Sequence, residues 1–584
     1  MVLRFLGEFK ALCEALEVLG GQWTDSGSGE KSFRLNEAVM CWSESSGEIT
    51  FKGRGAEKWR MKRRVLELID SGKKSPASPK KIESERPSEA PLPHVGYSES
   101  NEEVVFGIVS RVGLKYQAVA DILTERLKSK FQYDVIGVRV SECLPKPHSD
   151  DVGEYERIRH FMQHGDNLRQ ESKNNAILAT GVVEKISSGR DLSSRKARRA
   201  FIISTLKHPD EVDFLKKTYG DAFYLIGIHS TKEACKKYLT RDGKMTDEEA
   251  EELIAIDEEE YLPYGQKTRD TFHLADFFLD YSSDAGLTEH SLERFLDLIF
   301  AHPYKNPTFD EFAMFLAFNS AVRSSDLSRQ VGAVISQGRE VIATGANDVP
   351  SPGGGTYWAE LDLNSGEVID HPGGKDHTIG LDYNKKVQHK IIAEISKSLK
   401  EEGLVSEEDS DKLVSVLTGS AISDLTEFSR VVHAEMDALL SCARSGISSV
   451  GATLYCTTFP CHNCAKHIVA SGIKSVIYVE PYPKSRASEL FKKIIAAGVA
   501  DRDIKNYGAG VIPFKPFIGV GPRRFLDLFA MSLGGGARLR RKDEKGETIS
   551  WSASEAKLRT PMHGESCSER ENAAIELWKS RPQL

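Results

Sequence analysis

The chain has 584 residues, of which 40% are hydrophobic and 28% charged, and its net charge at neutral pH is −8. This length exceeds what one hydrophobic core holds, roughly 250–300 residues, and predicts two large domains with appendages. The acidic balance disfavours a protein that coats nucleic acid, and no apolar run approaches the roughly 18–20 residues that span a bilayer. Because the N-terminus lacks a signal-peptide pattern and the nine cysteines are scattered, we expect a cytoplasmic protein without a disulfide framework.

The first 100 residues predict a small folded segment and a linker. Within residues 1–71, apolar positions at helical spacing are followed by two short strand-like runs, which predicts a small α/β appendage. Residues 72–100 consist mainly of Ser, Pro, Lys and Glu, and they offer too few apolar groups to offset the entropy of ordering. We therefore interpret them as a linker.

Residues 101–304 alternate between strand-like and helix-like runs. Buried-strand patterns such as VVFGIV, AFIISTL and AFYLIGI are separated by helical stretches. This alternation is typical of βαβ units, so it predicts an α/β domain with a parallel sheet. We interpret the segment as a degenerate P-loop kinase-like domain because of the loop that follows its first strand.

That loop carries four candidate nucleotide-binding residues, Gly107, Ser110, Gly113 and Lys115. A glycine-rich turn from a strand into a helix presents backbone N–H groups to phosphate. The motif is degenerate, because Lys115 does not directly follow the second glycine and Tyr116 replaces the hydroxyl that would bind Mg²⁺. The pattern leaves open both nucleotide binding and a plain strand-to-helix turn, and it disfavours phosphoryl transfer.

The second large domain spans residues 305–535. Its predicted order is helix, two strands, a long insert over residues 348–432, helix, strand, helix, strand. Residues 536–584 are polar and rich in Gly and Arg, and we expect them to form a tail. The chemistry of this domain lies on both sides of the insert and in the segment that follows it.

The strongest motif is H-A-E at residues 433–435 followed by P-C-H-N-C at residues 460–464. A catalytic zinc ion takes three protein ligands and keeps a fourth position open, and His433, Cys461 and Cys464 would supply the three. The two cysteines are three positions apart, so at the start of a helix they project to the same side. The sequence therefore predicts a zinc site.

Glu435 follows the first ligand by two positions and does not have to bind the metal. A carboxylate there can take a proton from water and deliver it to a base and to leaving ammonia. The H-x-E…P-C-x-x-C pattern is typical of zinc deaminases, so we predict Glu435 as the catalytic acid and base. A closed structural zinc site is the alternative, with His462 or His467 as the fourth ligand.

Residues 312–347, the HAEMDALL segment and residues 454–482 resemble deoxycytidylate (dCMP) deaminases, with the motifs in the order of that family. The resemblance implies a cytidine deaminase-like fold, an α/β/α sandwich of three layers. It also implies three substrate-binding residues: Asn347 for the sugar, Arg329 near the phosphate, and Tyr482 as an aromatic contact.

The long insert and the preceding kinase-like domain depart from a plain dCMP deaminase. Together they resemble the bacterial anti-phage dCTP deaminases, which join a P-loop-type domain to a dCMP deaminase-like domain. The resemblance implies Zn²⁺ as cofactor and deamination of dCTP, with dCMP as a second substrate, which would deplete dCTP during phage infection. It further implies a homo-oligomer, with a hexamer as the expected state. The P-loop-like loop and the basic clusters at residues 58–64 and 538–542 make a nucleotide or an RNA a candidate regulator.

Other readings of the sequence stay open. The chain is alternatively a dCMP deaminase of pyrimidine salvage, a deaminase of tRNA or single-stranded DNA, or a nucleotide sensor whose deaminase fold is a binding platform. Basic clusters at residues 58–64 and 538–542 are candidate nucleic-acid contacts, and we favour the alternative that they are a solvated helix face and a tail. A second zinc site in the insert is conceivable, and its candidate ligands are His371, Asp376, His377 and His389.

Overall fold

The computed structural model describes the following residues: 3–4, 9–25, 29–35, 38–52, 61, 65, 102–147, 152–190, 198–258, 264–281, 285–425, 427–481, 485–499, 504, 507–508, 510–562 and 564–582. The chain divides into two compact units, residues 1–96 and residues 97–584. Within the described residues, no helix is both long enough and apolar enough to cross a membrane.

The first unit is a helix with an antiparallel sheet. Helix α1 (Phe9–Leu16) places Leu12 and Leu16 in the core together with Phe33 and Trp42. The five strands have the order β1-β5-β4-β3-β2. Their bounds are β1 (Leu3–Arg4), β2 (Gln22–Asp25), β3 (Glu30–Leu35), β4 (Ala38–Ser43) and β5 (Glu48–Lys52).

The second unit begins with a parallel sheet, as the alternation of strands and helices predicted. We call residues 102–300 the N-terminal lobe. Its sheet has the order β7-β8-β6-β9-β10-β19, and only the last pair is antiparallel. The strands of this sheet are β6 (Glu103–Ser110), β7 (Asp134–Arg139), β8 (Arg199–Ser204), β9 (Phe223–His229), β10 (Phe277–Asp280) and β19 (Gly519–Val520).

Helices cover both faces of that sheet, which explains why β6 and β8 are buried along their whole length. The helices of the N-terminal lobe are α2 (Tyr116–Ser129), α3 (Glu154–Ser172), α4 (Ile177–Ser188), α5 (Pro209–Tyr219), α6 (Lys232–Arg241), α7 (Asp247–Glu258), α8 (Thr268–Phe272) and α9 (Ala285–Ile299). Short 3₁₀ turns join several of these elements.

The C-terminal lobe, residues 307–517, contains a second six-stranded sheet with the order β12-β11-β15-β16-β18-β17. Strand β11 is antiparallel to both of its neighbours, β12 and β15, and the remaining pairs are parallel. The strands are β11 (Gly332–Gln337), β12 (Glu340–Ala346), β15 (Thr453–Thr458), β16 (Ser475–Glu480), β17 (Ile495–Ala497) and β18 (Ile512–Pro516).

This sheet is the middle of the three layers that the resemblance implies. Val334 and Tyr455 pack in the cluster that includes α10 (Phe309–Val322). Ile335 follows Val334, and Leu454 precedes Tyr455. Because side chains alternate along a strand, these two residues lie on the opposite face of the sheet and pack with helices there. Those helices are α14 (Ala434–Ser445), α15 (His462–Ala470) and the short α16 (Ala487–Leu490).

The insert between β12 and α14 is closed at its base. Asp348 and Val432 form an isolated antiparallel bridge, so the segment leaves and rejoins the lobe at one place. The elements of the insert are β13 (Glu360–Leu361), β14 (Val368–Ile369), α11 (Asp376–Ile379), α12 (Tyr383–Glu401) and α13 (Ser410–Thr418). The bridge directly precedes His433, so the insert is attached beside the predicted zinc ligands.

The C-terminal segment differs from the expected polar tail. After β19, helices α17 (Phe525–Phe529) and α18 (Gly564–Lys579) pack on the N-terminal lobe. A Cβ on Gly181 of α4 would lie 2.9 Å from the ring of Trp578, so only glycine admits this contact. In α18, Cys567, Ala574 and Trp578 are spaced for one helix face, and all three are buried.

Candidate active site

Three of the predicted site residues converge as metal ligands. His433 immediately precedes α14, Cys461 is the N-cap of α15, and Cys464 lies in the first turn of α15. The His433 Nδ1 atom lies 3.3 Å from the Sγ atom of each cysteine, and the three ligand atoms all lie within 4.8 Å of one another. This geometry fits Zn²⁺, which both nitrogen and sulfur ligands bind in a tetrahedral site.

Close packing of glycine sets the position of the histidine. A Cβ on Gly345 of β12 would lie 2.2 Å from the carbonyl oxygen of Ala434, so α14 rests directly on the strand backbone. The Ala346 N–H also donates to Asp437 Oδ2 of α14. These two contacts fix the start of α14, which His433 directly precedes and which carries Glu435 in its first turn.

Of the three ligands, Cys461 already has the protonation that metal binding needs, whereas a metal would have to displace a proton from His433 and from Cys464, whose thiol pKa the hydrogen bond to Cys461 raises well above its usual value. The hydrogen bond from Cys464, followed by that from His433, lowers the pKa of the Cys461 thiol to about 4. The hydrogen bond to Cys461 raises the pKa of His433 to about 9, because the imidazolium stabilises the thiolate. A thiolate that forms this readily is the form that zinc binds.

Glu435 lies in the first turn of α14 and is only 4% exposed. Burial raises the pKa of its carboxyl, the charge of Cys461 adds to that effect, and His433 opposes it. A carboxyl with a raised pKa can both accept and return a proton near neutral pH. The residue therefore has the burial and protonation behaviour of an acid–base group beside the ligands.

A cavity of about 170 Å³ opens onto His433, Glu435 and Cys461. The loop before β11 contributes to its wall, and so does the insert, whose contribution the sequence did not reveal. The insert residues that line the cavity are Asp376, Asp382, Asn384, Ser429 and Val431. Phe459 contributes an aromatic side chain to the same cavity.

Asn347 and Arg329 both line this cavity. The side-chain amide of Asn347 is engaged with the backbone: Oδ1 accepts from the Val331 N–H at 2.7 Å, and Nδ2 donates to the Arg329 carbonyl oxygen at 2.8 Å. The Arg329 guanidinium lies 2.6 Å from Glu480 Oε1, and Thr458 donates to the other oxygen of Glu480. Tyr482 lies outside the described residues.

The predicted alternatives for metal binding do not assemble. Within the described part of the chain, the only cluster of three or more potential ligands is His433, Cys461 and Cys464. In the insert, His377 instead contacts Asp370, and Asp376 contacts Arg430. The second zinc site is therefore absent from the described residues. His462 and His467 likewise lie outside the cluster, so a closed four-ligand site is not formed by them.

Three of the four candidate nucleotide-binding residues of the N-terminal lobe, Ser110, Gly113 and Lys115, line one cavity, and Gly107 does not. Gly107 lies inside β6, where a Cβ would be 2.8 Å from Leu206 and from Phe223, so it is a packing glycine. Gly113 has a φ of +81° and Lys115 lies 3.6 Å from Asp242, at the turn into α2. Ser110 accepts a hydrogen bond from Lys207 through its carbonyl oxygen.

Sequence reasoning missed what surrounds that turn. The buried Asp257 accepts from the Val112 N–H at 2.9 Å and contacts Lys207 Nζ at 2.7 Å. A cavity of about 680 Å³ lies at the same edge of the sheet, and Thr205, with a φ of +72°, lines it. The basic residues on its wall are Arg111, Lys115, Arg139, Arg157, Arg169 and Lys207.

Comparison with known proteins identifies the C-terminal lobe. The sequence profile described as the cytidine and deoxycytidylate deaminase zinc-binding region matches residues 307–480. The deoxycytidylate deaminase of Enterobacteria phage T4 is 32% identical over 171 residues, which are 29% of this chain and 77% of that protein. The deoxycytidylate deaminase of Mycobacterium phage D29 is 30% identical over 172 residues, 30% of this chain and 94% of that protein.

Among solved structures, the dCMP deaminase of cyanophage S-TIM5 in apo form is 19% identical and covers 36% of this chain and 98% of its own, with a TM-score of 0.19. The sequence relatives are more informative, because they align over most of their own length with identities of 30% or more. The profile match also spans all three ligands of the cluster. The chain therefore belongs to the cytidine and deoxycytidylate deaminase family.

Proposed function

We propose that the protein is a zinc-dependent hydrolase that converts deoxycytidine nucleotides, dCTP first and dCMP second, to deoxyuridine nucleotides. The observation that carries the proposal is the convergence of His433, Cys461 and Cys464 beside the buried Glu435 at one cavity. Three protein ligands leave an open position on a tetrahedral zinc ion, as catalytic sites require. The named activity of the phage relatives supports the substrate class.

A zinc ion held by His433, Cys461 and Cys464 would lower the pKa of a water molecule, which would then serve as the nucleophile. Glu435 takes the proton that the water loses as its oxygen forms a bond to C4 of the cytosine ring. It returns this proton to the ring N3, and then passes the remaining proton of the new C4 hydroxyl to the amino group as the C4–N bond breaks and the C4 carbonyl forms. The products are the deoxyuridine nucleotide and ammonia, and water is the only co-reactant.

Substrate contacts are assigned by position. Arg329 is exposed at the cavity, and we propose that it meets the substrate phosphate after exchanging its contact with Glu480. Asn347 supports the backbone of residues 329–331, and we propose that it places this wall against the sugar. Tyr482 follows Pro481 at the end of the matched segment, and we propose it as an aromatic substrate contact.

We also propose that the N-terminal lobe binds a regulatory nucleotide. Its cavity lies beyond the carboxyl ends of parallel strands, where open α/β sheets bind ligands. Its wall carries six basic side chains against three acidic ones, Asp121, Glu154 and Asp242, and this excess of positive charge favours an anionic ligand. A thermal shift of the protein with individual nucleoside triphosphates would test this, and the variant Arg139→Ala should reduce the shift. A stabilising RNA would instead support a nucleic-acid regulator.

The biological proposal is depletion of dCTP against phage infection, by a homo-oligomer that we expect to be a hexamer. It rests on the two-lobe architecture and on the resemblance to anti-phage dCTP deaminases. Cells that produce the protein should lose dCTP after infection and survive. Survival without a change in dCTP would contradict this role.

The biochemical test compares substrates. Zinc-replete protein is incubated with dCTP, dCMP, CTP, deoxycytidine and a cytosine-containing single-stranded DNA, and uracil-containing products are separated by chromatography. Turnover of dCTP supports the proposal as stated, whereas turnover of dCMP alone supports a salvage enzyme. Turnover of only the DNA would contradict the proposal and favour a polynucleotide deaminase.

A further inference from the structure

The insert places a polar side chain in the wall of the active-site cavity. Asn384 lies in the first turn of α12 and lines the cavity that contains His433 and Glu435. It belongs to the insert, and so it lies outside the two motifs, residues 433–435 and 460–464, that carry the zinc ligands and Glu435. The geometry of this residue is unusual enough to suggest a ligand.

The orientation of the Asn384 carboxamide is fixed by its neighbours. Its Nδ2 atom donates to the Leu425 carbonyl oxygen at 2.8 Å, and the buried Gln388, one helical turn later, donates to the same oxygen at 2.7 Å. A flipped carboxamide would set two oxygens against each other at Leu425. The amide nitrogen must therefore face Leu425, and Oδ1 must face away from it.

The Asn384 Oδ1 atom is shielded from solvent and has no hydrogen-bond donor within reach among the described residues. A buried acceptor without a donor costs free energy, so native proteins rarely keep one without a reason. Asn384 also lines the active-site cavity, so a ligand bound there can supply the hydrogen-bond donor that Oδ1 lacks. Because Oδ1 is shielded, it meets a ligand only after the terminal torsion of Asn384, which is soft, turns it toward the cavity.

The chemistry of the substrate identifies the donor. Resting on the proposed function, a deoxycytidine nucleotide has two donors, the 4-amino group and the 3′-hydroxyl, because the ring N3, the carbonyl oxygen and ionised phosphates only accept. The amino group must face Glu435 and the zinc ligands, since it is the group that leaves. The 3′-hydroxyl is the donor that remains.

We propose that Asn384 is a substrate-binding residue whose Oδ1 accepts a hydrogen bond from the 3′-hydroxyl of the deoxyribose. The residue that the family resemblance assigned to the sugar, Asn347, has both ends of its amide on the backbone of Arg329 and Val331. Asn347 therefore shapes one wall of the cavity, and the insert provides the acceptor on another. The insert thus selects nucleotides that carry a 3′-hydroxyl.

The test removes the 3′-hydroxyl of the substrate and the side chain of Asn384 one at a time. The substrate is whichever of dCTP and dCMP the wild-type protein deaminates faster, and its analogue is the 2′,3′-dideoxy form. Wild type should prefer the hydroxylated substrate by about 10–100-fold in kcat/KM, the effect of leaving a buried acceptor unpaired. In Asn384→Ala, kcat/KM on the natural substrate should fall by a similar factor. This variant should prefer the natural substrate over the dideoxy analogue by less than about 3-fold.

The ratio of the two substrates is independent of how much of a variant folds, because the active fraction cancels. The matched control is Gln388→Ala, which loses a bond to the same Leu425 oxygen but does not line the cavity. This control should keep the wild-type ratio. Calorimetry in a Glu435→Gln background should show the same preference for the hydroxylated nucleotide in binding, and Asn384→Ala should abolish it.

Two results would overturn the inference while leaving the proposed function intact. One is a wild-type enzyme that deaminates both substrates equally well, and the other is an Asn384→Ala variant that keeps the wild-type ratio. Absence of turnover on every deoxycytidine nucleotide, with no binding in the Glu435→Gln background, would instead reject the proposed function, and the inference would fall with it.

Discussion

At the scale of single residues, local spacing was enough to find the metal site. His433, Cys461 and Cys464 lie at helix starts, where three-residue spacing brings side chains to one side. Asn384 could not be predicted, because its meeting with the cavity depends on how a long insert folds back. Nor could Asp257, whose contact with Val112 joins segments that lie 145 positions apart.

His229 should make the protein sensitive to acid. Burial, assisted by Arg111, lowers its pKa to about 4, whereas the unfolded chain titrates near 6.5. As pH falls from about 6.5 towards 4, the unfolded state gains a proton that the folded state refuses, so stability present above this window is lost. From pH 7 to pH 5 the loss at this residue is about 2 kcal/mol.

The variant His229→Gln lacks the titrating group. From pH 7 to pH 5, its free energy of unfolding should therefore fall by about 2 kcal/mol less than that of wild type. Urea unfolding at pH 7 and pH 5 measures the difference for both proteins. Equal pH dependence in the variant and in wild type would show that His229 is protonated as easily in the folded state as in the unfolded chain.

At the scale of elements, the predicted strands and helices of both lobes are present because their apolar periodicity is strong. Strand β6 was foreseen as a buried run, and the helix that carries His433 was foreseen from its motif. The pairing of β19 with β10 was not, since two residues, Gly519 and Val520, carry no periodic signal. Tertiary contact alone makes them a strand.

Gly345 is the element-level test of how the site is held. Gly345→Ala places a methyl group 2.2 Å from the Ala434 carbonyl oxygen, and it should push α14 off β12. We expect a destabilisation of about 1–3 kcal/mol and a reduced zinc content on purification. Thermal unfolding and metal analysis measure the two effects.

The control for Gly345→Ala is Gly137→Ala, because a Cβ on Gly137 meets nothing within 4 Å. That variant should keep wild-type stability and zinc content. If Gly345→Ala also kept its full zinc content, the packing of α14 on β12 would not be what positions His433.

At the scale of the whole molecule, residues 97–584 form one compact unit, and the two lobes share buried contacts. The end of the chain returns to the N-terminal lobe through β19, α17 and α18. A helical stripe of Cys567, Glu571, Ala574 and Trp578 was visible in the sequence, but the surrounding polar residues suggested a tail. Burial of this stripe depends on a partner surface that no local pattern describes.

Trp578 tests whether this return stabilises the fold. It is 8% exposed and fills the space above Gly181, whereas its neighbour Leu577 is 47% exposed. Trp578→Ala should cost about 3–5 kcal/mol and lower the thermal midpoint, while Leu577→Ala should change it little. Similar midpoints for the two variants would mean that α18 contributes little to stability.

The central claim is that Glu435 performs the proton transfers beside a zinc ion held by three ligands. The most direct measurement is zinc content together with turnover of dCTP and dCMP, for wild type and for Glu435→Gln. The variant should retain about one zinc per chain and lose turnover by at least about 10²–10⁴-fold, because the amide keeps the shape but cannot carry the proton. Full turnover in a zinc-loaded Glu435→Gln protein would contradict the account.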